Sequence, residues 1–319
     1  MTDLPHSPEQ PAVAAKTSRW RTFLKSDIVW SYRHSPITIV ASIVALLLIL
    51  MAIFAPWIAP YDPFNPATLN LMDGFTEPNS NSFGGRYFIL GTDNQGRDVL
   101  STIMYGSRVS LFVGFSATMF AMVMGVGLGL VAGYLGGIWD AIIMRIADVQ
   151  LSFPAILIAL LIFGVARGLI PPNQQEGAAI WVLILAIGLA NWAQFARTVR
   201  GATMVERQKD YVSAARILGV NPFIILLRHV LPNVMGPVLV IGTIGLALAI
   251  IEEATLSYLG VGVPPTQPSL GTLIRIGQQF LFSGEWWILL FPAITLVLLA
   301  LSVNLLGDWL RDALNPKLR

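Results

Sequence analysis

The polar segment between residues 206 and 233 carries the groups best placed to do chemistry in an otherwise apolar chain. Its first part, residues 210–219, has the sequence DYVSAARILG, and its second part, residues 228–233, has the sequence RHVLPN. Both parts are polar and basic, and a glycine separates two helix-forming stretches. A pair of short helices of this kind is suited to noncovalent docking onto a soluble partner protein.

Signatures of catalysis are absent from the sequence. It contains no G-x-x-x-x-G-K-S/T, no H-E-x-x-H and no G-x-S-x-G pattern. Cysteine is absent, which excludes disulfides, thiolate chemistry and Cys-based metal sites. The three histidines, His6, His34 and His229, lack metal-ligand spacing. We therefore predict that the chain is not an enzyme, holds no metal or cofactor, and does not hydrolyse ATP itself.

The docking segment is predicted to form two short helices joined by a tight turn. Residues 206–218 contain good helix formers, and Gly219 fits a left-handed C-terminal cap. Asn221, followed by proline, fits the N-cap of a second helix over residues 223–230 that breaks at Pro232.

The two small residues Ala214 and Ala215 are expected to let the backbone of the partner approach closely. A helical hairpin packed on the chain's own bundle is the alternative. The residues predicted to couple the chain to its partner are Asp210, Ser213, Ala214, Ala215, Arg216, Gly219, His229, Leu231 and Pro232.

The composition indicates a membrane protein. The chain has 319 residues, of which 55% are hydrophobic and 12% are charged, and its mean hydropathy is +0.68. An ordinary soluble domain carries about 25% charged residues. The net charge of +2 gives no indication of a nucleic-acid partner.

Six segments are long and apolar enough to cross a bilayer, which requires about 20 residues. We predict an all-α bundle of six transmembrane helices. The third span follows a polar stretch and is expected to be one long helix. The predicted spans are Ile37 to Ile58, Val109 to Ala132, Val149 to Val165, Ala178 to Ala196, Val234 to Ile251 and Trp287 to Leu306.

The placement of lysine and arginine predicts the orientation. With six spans both termini share one side, and 15 of the 20 basic residues fall there. These are Lys16, Arg19, Arg21, Lys25, Arg33, Arg145, Arg197, Arg200, Arg207, Lys209, Arg216, Arg228, Arg311, Lys317 and Arg319. Only Arg86, Arg97, Arg108, Arg167 and Arg275 fall on the other side. We therefore expect both termini and the docking segment in the cytoplasm.

The domain organisation follows from these spans. Residues 1–36 are predicted to be a cytoplasmic tail with an interfacial helix over residues 20–28, or an elbow packed against the bundle. Residues 37–319 are predicted to form one transmembrane domain. It has an outer loop over residues 59–105 and a cytoplasmic loop over residues 198–233.

Two outer segments are rich in turn residues. We expect them to border an outer gate or to contact an external protein, with plain loop structure as the alternative. The candidate residues are Gly91, Thr92, Asp93, Gly96, Arg97, Asp98, Pro264 and Pro265.

The second span contains a row of glycines spaced by four residues. Such a row lets another helix approach closely within lipid. The row consists of Gly125, Gly129, Gly133 and Gly137, and the first three are predicted helix-packing positions.

The docking segment resembles the EAA loop of ABC importer permeases. Residues 214–215, Gly219 and residues 231–232 match the spacing of that loop. Ser213 stands where the loop usually has glutamate, and His229 stands where it usually has isoleucine.

Further segments resemble the peptide/nickel subgroup of these permeases. They include residues 90–99 (LGTDNQGRDV), 105–111 (YGSRVSL), 132–137 (AGYLGG), 256–265 (LSYLGVGVPP) and 304–316 (NLLGDWLRDALNP). The resemblance runs in order from about residue 37 to residue 319.

The resemblance implies a type I importer permease fold and a half-pore in the inner membrane of a bacterium. It also implies a homologous second permease, two cytoplasmic ATPase subunits and an external solute-binding protein as partners. The implied substrate is a peptide of two to several residues, with nickel chelates, glutathione-like peptides, opines and sugars as rivals.

Two other classes of function are weighed against this one. A secondary transporter places ionisable residues near the middle of the bilayer. The candidates Asp140, Arg145, Asp148, Glu252 and Glu253 are predicted near the ends of spans, which disfavours proton coupling. A structural membrane scaffold is disfavoured by the docking segment.

Overall fold

The protein is a bundle of long helices. The computed structural model describes residues 31–65, 69–82 and 85–314. Most of the predicted tail over residues 1–36, including its interfacial helix, lies outside the described residues. The helices are α1 (Pro36–Ile53), α2 (Ala55–Ile58), α3 (Val99–Leu135), α4 (Gly137–Leu151), α5 (Ala155–Leu169), α6 (Gln175–Glu206), α7 (Asp210–Ile217), α8 (Pro222–Ile224), α9 (Leu231–Tyr258), α10 (Leu270–Phe280) and α11 (Trp287–Leu314).

The remaining regular segments are short. The strands β1 (Ser80–Asn81) and β2 (Tyr87–Phe88) pair antiparallel. A π-helical segment, Ile225–Val230, joins α8 to α9 without a break. Single 3-10 turns occur at Leu71–Asp73, Pro172–Gln174 and Leu281–Ser283.

The predicted all-α membrane bundle is confirmed. Within the described residues, 5 helical segments are long and apolar enough to cross a membrane, and a bent helix pair raises the number to 6. We call the end of the bundle that carries residues 198–233 the loop end. The end that carries residues 59–65, 69–82, 85–98 and 259–286 is the opposite end.

The prediction of one long third helix is wrong. Two helices, α4 and α5, meet there at 98°. Pro154 has no backbone N–H and would clash with the carbonyl of Gln150 in a continuous helix. Its ring also disfavours helical backbone at Phe153. The helix therefore ends at Leu151, and α5 begins after Pro154.

The pair α3 and α6 forms the centre of the bundle. A methyl group on Gly125 would lie 2.5 Å from the carbonyl oxygen of Trp192, and one on Gly129 would lie 2.6 Å from that of Ala196. At Gly133 the nearest backbone atom would be the carbonyl oxygen of Arg200 at 2.8 Å. These three glycines therefore let the two helix backbones touch.

Gly137 does not continue this row. It has a φ of +57° and open space where a side chain would be. It begins α4 after the turn that ends α3.

Helix α3 begins at Val99, within the predicted outer loop over residues 59–105. Asp98 caps this helix: its Oδ2 accepts a hydrogen bond from the backbone nitrogen of Ser101 at 2.9 Å. An N-cap carboxylate satisfies an otherwise unpaired N–H of the first turn. Residues 99–105 therefore belong to the helix.

Candidate coupling surface

The predicted docking segment lies at the loop end and consists of α7, α8 and the π segment. Its first helix was predicted from Glu206, but α6 continues to Glu206 and the chain then turns. Lys209 has an extended backbone, with φ of −72° and ψ of 149°, which interrupts the helix. Asp210 follows in the first turn of α7, where the helix dipole favours a carboxylate.

A tight turn at Gly219 sets the angle between the two halves of the segment. Gly219 has a φ of +76°, which glycine adopts without steric penalty. Its N–H donates to the carbonyl of Arg216 at 3.0 Å, and the N–H of Val220 donates to the carbonyl of Ala215 at 3.1 Å. This is the Schellman arrangement of hydrogen bonds that ends a helix at a left-handed glycine.

The second half begins at Asn221, whose side-chain oxygen accepts from the backbone nitrogen of Phe223 at 2.9 Å. The predicted break at Pro232 is wrong, because the helix continues through it to Tyr258. The N–H of Leu231 donates to the carbonyl of Leu226, five residues earlier. A π segment widens the helix and is frequent at functional sites. It therefore lets the chain absorb Pro232, which lacks an N–H.

Apolar side chains are exposed along the outer side of the segment. Ile217 is 87% exposed, Leu218 is 80% exposed and Phe223 is 66% exposed. Ile224 and Leu227 continue this apolar patch. Contiguous exposed apolar surface is typical of sites that contact another protein or a membrane. We call these five residues the docking patch.

The inner side of the segment is packed against the bundle. Val212, Ile225 and Val230 are fully buried and belong to one cluster with residues of α3, α6 and α9. Ala215 is also buried, so it serves packing within the subunit. Ala214 is exposed and is the alanine that a partner could approach.

The other predicted coupling residues are distributed over the same surface. Asp210, Ser213, Arg216, Gly219 and Pro232 are exposed, and His229 and Leu231 are partly buried. The inner side of the loop is therefore packed on its own bundle, as expected for the alternative of a packed helical hairpin. Its outer side is accessible to a partner.

A hydrogen-bond network ties α7 to α6 and to the start of α9. The hydroxyl of Tyr211 donates to the carboxylate of Glu206 and accepts from the side-chain amide of Asn233 at 3.1 Å. The same amide donates to the carbonyl of His229 at 2.6 Å. Burial, followed by the hydrogen bond to Glu206, raises the pKa of Tyr211. The hydroxyl therefore stays protonated and remains a donor.

Two arginines anchor the segment to the end of α3. The guanidinium of Arg216 lies over the ring of Tyr134 at 4.9 Å. Arg207 donates to the carbonyl oxygen of Gly133 at 2.9 Å and to that of Tyr134 at 3.2 Å. These carbonyls belong to the last turn of α3 and lack partners within their own helix.

Ion pairs extend this anchoring to α4. The Nε and Nη2 groups of Arg200 donate to the two carboxylate oxygens of Asp140, and Arg197 pairs with Asp148. Bidentate pairs between arginine and carboxylate are directional as well as attractive. The docking segment, α3, α4 and α6 are thus connected at the loop end.

The predicted outer residues from Gly91 to Asp98 form a compact, buried turn region at the opposite end. We call this region the knot. Arg97 and Asp93 make an ion pair at 2.6 Å, with side chains that are 4% and 5% exposed. The carbonyl of Thr92 accepts from the indole nitrogen of Trp287 at 3.1 Å. Burial raises the pKa of the Asp98 carboxyl, against the opposing effect of its hydrogen bonds from Ser101. All four predicted polar residues of this segment are buried, which indicates that they position the loop.

Two glycines in the knot have no room for a side chain. Gly91 has a φ of +79°, and a methyl group there would lie 2.7 Å from the carbonyl of Thr76. Gly96 has a φ of +74°, and its methyl group would lie 2.2 Å from the carbonyl of Asn70. Pro264 and Pro265 lie apart from the knot, in the wall of a cavity.

Several residues that make buried or hydrogen-bonded contacts in the structure were not singled out from the sequence. Tyr211 and Asn233 were passed over because their partnership depends on the fold. Glu252 and Glu253 were expected just beyond the fifth span, but α9 continues to Tyr258 and contains both. Glu253 is fully buried, and Glu252 accepts from the side chain of Asn191 at 2.7 Å.

Comparison with known proteins identifies the class. Residues 125–319 match the family described as binding-protein-dependent transport system inner membrane component. Residues 19–78 match the N-terminal transmembrane domain of oligopeptide transport permease C. The chain belongs to this family of permeases. It is therefore a multi-span inner-membrane permease subunit of an ABC importer, which works with a separate ATPase and a binding protein and is not itself an enzyme.

Individual relatives match almost the whole chain. The di/tripeptide permease protein DppC of Pseudomonas aeruginosa is 35% identical over 91% of this chain and 91% of its own length. The oligopeptide permease protein OppC of Bacillus subtilis is 35% identical over 100% of both chains. The glutathione permease protein GsiD of Pectobacterium atrosepticum is 34% identical over 94% of this chain and 90% of its own.

A solved structure shares the fold. The inward-facing methionine ABC transporter MetNI superposes with a TM-score of 0.52 and 20% identity, covering 67% of this chain and 96% of that chain. The expected importer permease fold is thereby confirmed.

Proposed function

We propose that this chain forms one half of the translocation pathway of a peptide importer. Relatives that match it over most of its length are named as permeases for di- and tripeptides, oligopeptides and glutathione, which is itself a peptide. The other half comes from a homologous permease. The observation that carries the coupling role is the exposed docking patch on a loop whose inner side is fully packed.

The docking patch is the contact for one of two cytoplasmic ATPase subunits, with one ATPase under each permease half. Its apolar side chains supply burial, and the turn at Gly219 fixes how the two halves are presented. The predicted coupling residues around it, from Asp210 to Pro232, form the rim and the supports of this contact. Closure of the ATPases then moves the loop end.

Both termini and the docking patch lie in the cytoplasm, and the knot at residues 91–98 lies outside. The basis is the excess of lysine and arginine on the loop side. Because the chain lacks cysteine, a single cysteine at position 80 can be tested for labelling from each side. Labelling from the cytoplasmic side alone would show the opposite orientation.

At the outer end, the knot and the segment with Pro264 and Pro265 shape the surface next to the gate and the binding protein. The buried ion pair of Asp93 and Arg97 holds this surface in place.

The decisive experiment is reconstitution of the complex with its second permease, ATPases and binding protein in proteoliposomes. We expect uptake of a labelled dipeptide that requires ATP and the binding protein. A complex with hydrolysis-deficient ATPases is the control. Uptake driven by a proton gradient without ATP would indicate a secondary transporter, and ATP-dependent uptake of nickel chelates in place of peptides would refute the substrate.

A further inference from the structure

A cavity of about 300 Å³ opens at the opposite end of the bundle. It lies between the turn that joins α5 to α6 and the segment that joins α9 to α10. Phe163 and Val263 form part of its buried floor, and Arg167, Glu176 and Arg275 are exposed at its rim. An apolar floor with a few convergent charged groups is typical of a small-molecule site.

The wall of the cavity is fixed by buried polar side chains. The backbone nitrogen of Val263 donates to the hydroxyl oxygen of Ser257 at 3.2 Å, and the hydroxyl of Thr272 donates to the carbonyl of Val263 at 3.2 Å. Ser257 donates in turn to the carboxylate of Glu253 at 2.8 Å. Because all three side chains are buried, the wall is held in one shape before any ligand arrives.

The guanidinium groups of Arg167 and Arg275 at the rim are held in position by groups that carry no negative charge. The Nε of Arg167 donates to the side-chain oxygen of Gln175 at 3.1 Å, which is a neutral partner. Arg275 crosses Gly260, where an added methyl group would lie 2.2 Å from its Nη1. Neither arginine, nor Glu176, forms an ion pair with another residue in the described part of the chain. Two positive charges and one negative charge therefore face the same cavity.

We propose that this cavity is an acceptor site for the zwitterionic form of a short peptide. Arg167 and Arg275 bind the C-terminal carboxylate, for which the guanidinium geometry is suited. Glu176 binds the terminal ammonium group. The inference rests on the proposed function as a peptide importer, and it adds a site on the permease itself, separate from the binding protein. The volume of about 300 Å³ is at the small end for ligand sites, which favours di- and tripeptides.

The test measures peptide binding to the purified complex of both permeases and both ATPases, without the binding protein. The probes are labelled alanylalanine, its C-terminal amide and its N-acetyl derivative. The variants are Arg275→Gln, Arg167→Gln and Glu176→Gln. Matched controls are Arg108→Gln and Glu77→Gln, because both residues are exposed and lie outside the cavity lining.

For the wild-type complex we expect the free dipeptide to bind about tenfold or more tightly than either blocked derivative, as expected for loss of one charge-assisted hydrogen bond. Each arginine variant should lose the preference for the free dipeptide over its C-terminal amide. Glu176→Gln should lose the preference for the free dipeptide over its N-acetyl derivative. The two controls should keep both preferences.

Equal binding of all three probes to the wild type, or no binding of any, overturns the inference. It is also overturned if the arginine variants change the retention of anionic lipid and leave peptide affinity unchanged, because the arginines then bind lipid phosphate. Uptake by the reconstituted complex distinguishes failure of the acceptor site from failure of the proposed importer function. Peptide import without selective binding refutes only the acceptor site, whereas a complex that imports no peptide refutes the proposed function.

Discussion

Replacement of Gly219 by valine tests whether the turn in the docking segment transmits the work of the ATPase. The native φ is +76°, and a β-branched residue in that conformation costs on the order of 1–3 kcal/mol. Apart from Gly219 and its two chain neighbours, no described residue has a heavy atom within 4 Å of the position that a Cβ would occupy. Within the subunit, the strain therefore comes from the backbone alone.

That strain acts against the two hydrogen bonds that end α7, from Gly219 to Arg216 and from Val220 to Ala215. If it is relieved by opening the turn, the docking-competent conformation loses population by a factor of about 5 to 150, at one factor of ten for each 1.4 kcal/mol. We expect Gly219→Val to lose ATPase stimulation by the loaded binding protein, while the bundle remains folded.

Gly219→Asn is the matched control, because asparagine has a side chain of similar size and tolerates the left-handed region. It should retain most of the coupling, and Ser213→Ala should be mild because Ser213 is exposed on the surface of α7. If the asparagine and valine variants fail equally, the defect is a steric clash with the ATPase and the strain argument is wrong. If the valine variant transports normally, the turn is not part of the coupling mechanism.

Three further predictions concern the docking patch, the helix contact and the outer knot. Phe223→Ser removes an exposed side chain whose burial against the ATPase contributes about 1.5–3 kcal/mol to binding. The ATPase subunits should therefore dissociate from the purified variant complex at a smaller dilution than from the wild-type complex. Gly129→Ala places a methyl group 2.6 Å from a backbone carbonyl of α6 and should lower the unfolding temperature, whereas Gly127→Ala enters open space and should not. Asp93→Ala or Arg97→Ala leaves a buried charge unpaired, at about 3–5 kcal/mol, and should reduce the amount of folded protein in the membrane.

Each of these predictions has its own check. Leu169 is 81% exposed at the opposite end, so Leu169→Ser should leave ATPase retention unchanged, and an equal loss would remove the case for a specific patch. Equal unfolding temperatures for the two glycine variants would show that α3 and α6 can separate freely. Normal abundance of the Asp93 or Arg97 variants together with poor uptake would indicate direct contact with the gate or the binding protein.

Much of the fold could be predicted because each span is a long apolar run with few competing interpretations. The second, fourth, fifth and sixth spans lie on single helices, all of which extend further than predicted. The first span, Ile37 to Ile58, covers two helices, because α1 ends at Ile53 and the chain turns at Phe54 before α2. Helices extend beyond the apolar run because polar residues continue the backbone hydrogen bonds outside the lipid. Hydropathy marks the membrane-embedded part of a helix and not its ends.

Two of the errors arose because proline acts in opposite ways at two positions. Pro154 breaks a helix inside an apolar run, and Pro232 was expected to break one but is absorbed. The two prolines differ because a π segment precedes Pro232. No sequence pattern predicted that segment. The Phe153-Pro154 dipeptide was a signal for the break in α4 and α5 and was outweighed by the apolar composition around it.

The helix–turn–helix form of the docking segment could be predicted because its residues are consecutive in sequence, whereas the outer cavity could not. Arg167, Glu176 and Arg275 come from three separate elements, and only the packing of α5, α6 and α10 brings them together. Pro264 and Pro265 were singled out as outer residues, but their place in the cavity wall depends on Val263 being held by Ser257 and Thr272. Contacts of this kind link distant parts of the chain and leave no local pattern.

One continuous helical run connects the two functional ends of the protein. Residues from Pro222 to Tyr258 form a single path of 37 residues, which is about 55 Å long at 1.5 Å per residue. It begins in the docking patch and passes through the π segment, and its last turn contains Ser257, which holds the cavity wall. Pro237 lies inside this run and is the point where the missing N–H permits bending. We therefore expect a displacement of the docking patch to shift the wall of the cavity through α9, unless bending at the π segment or at Pro237 absorbs it.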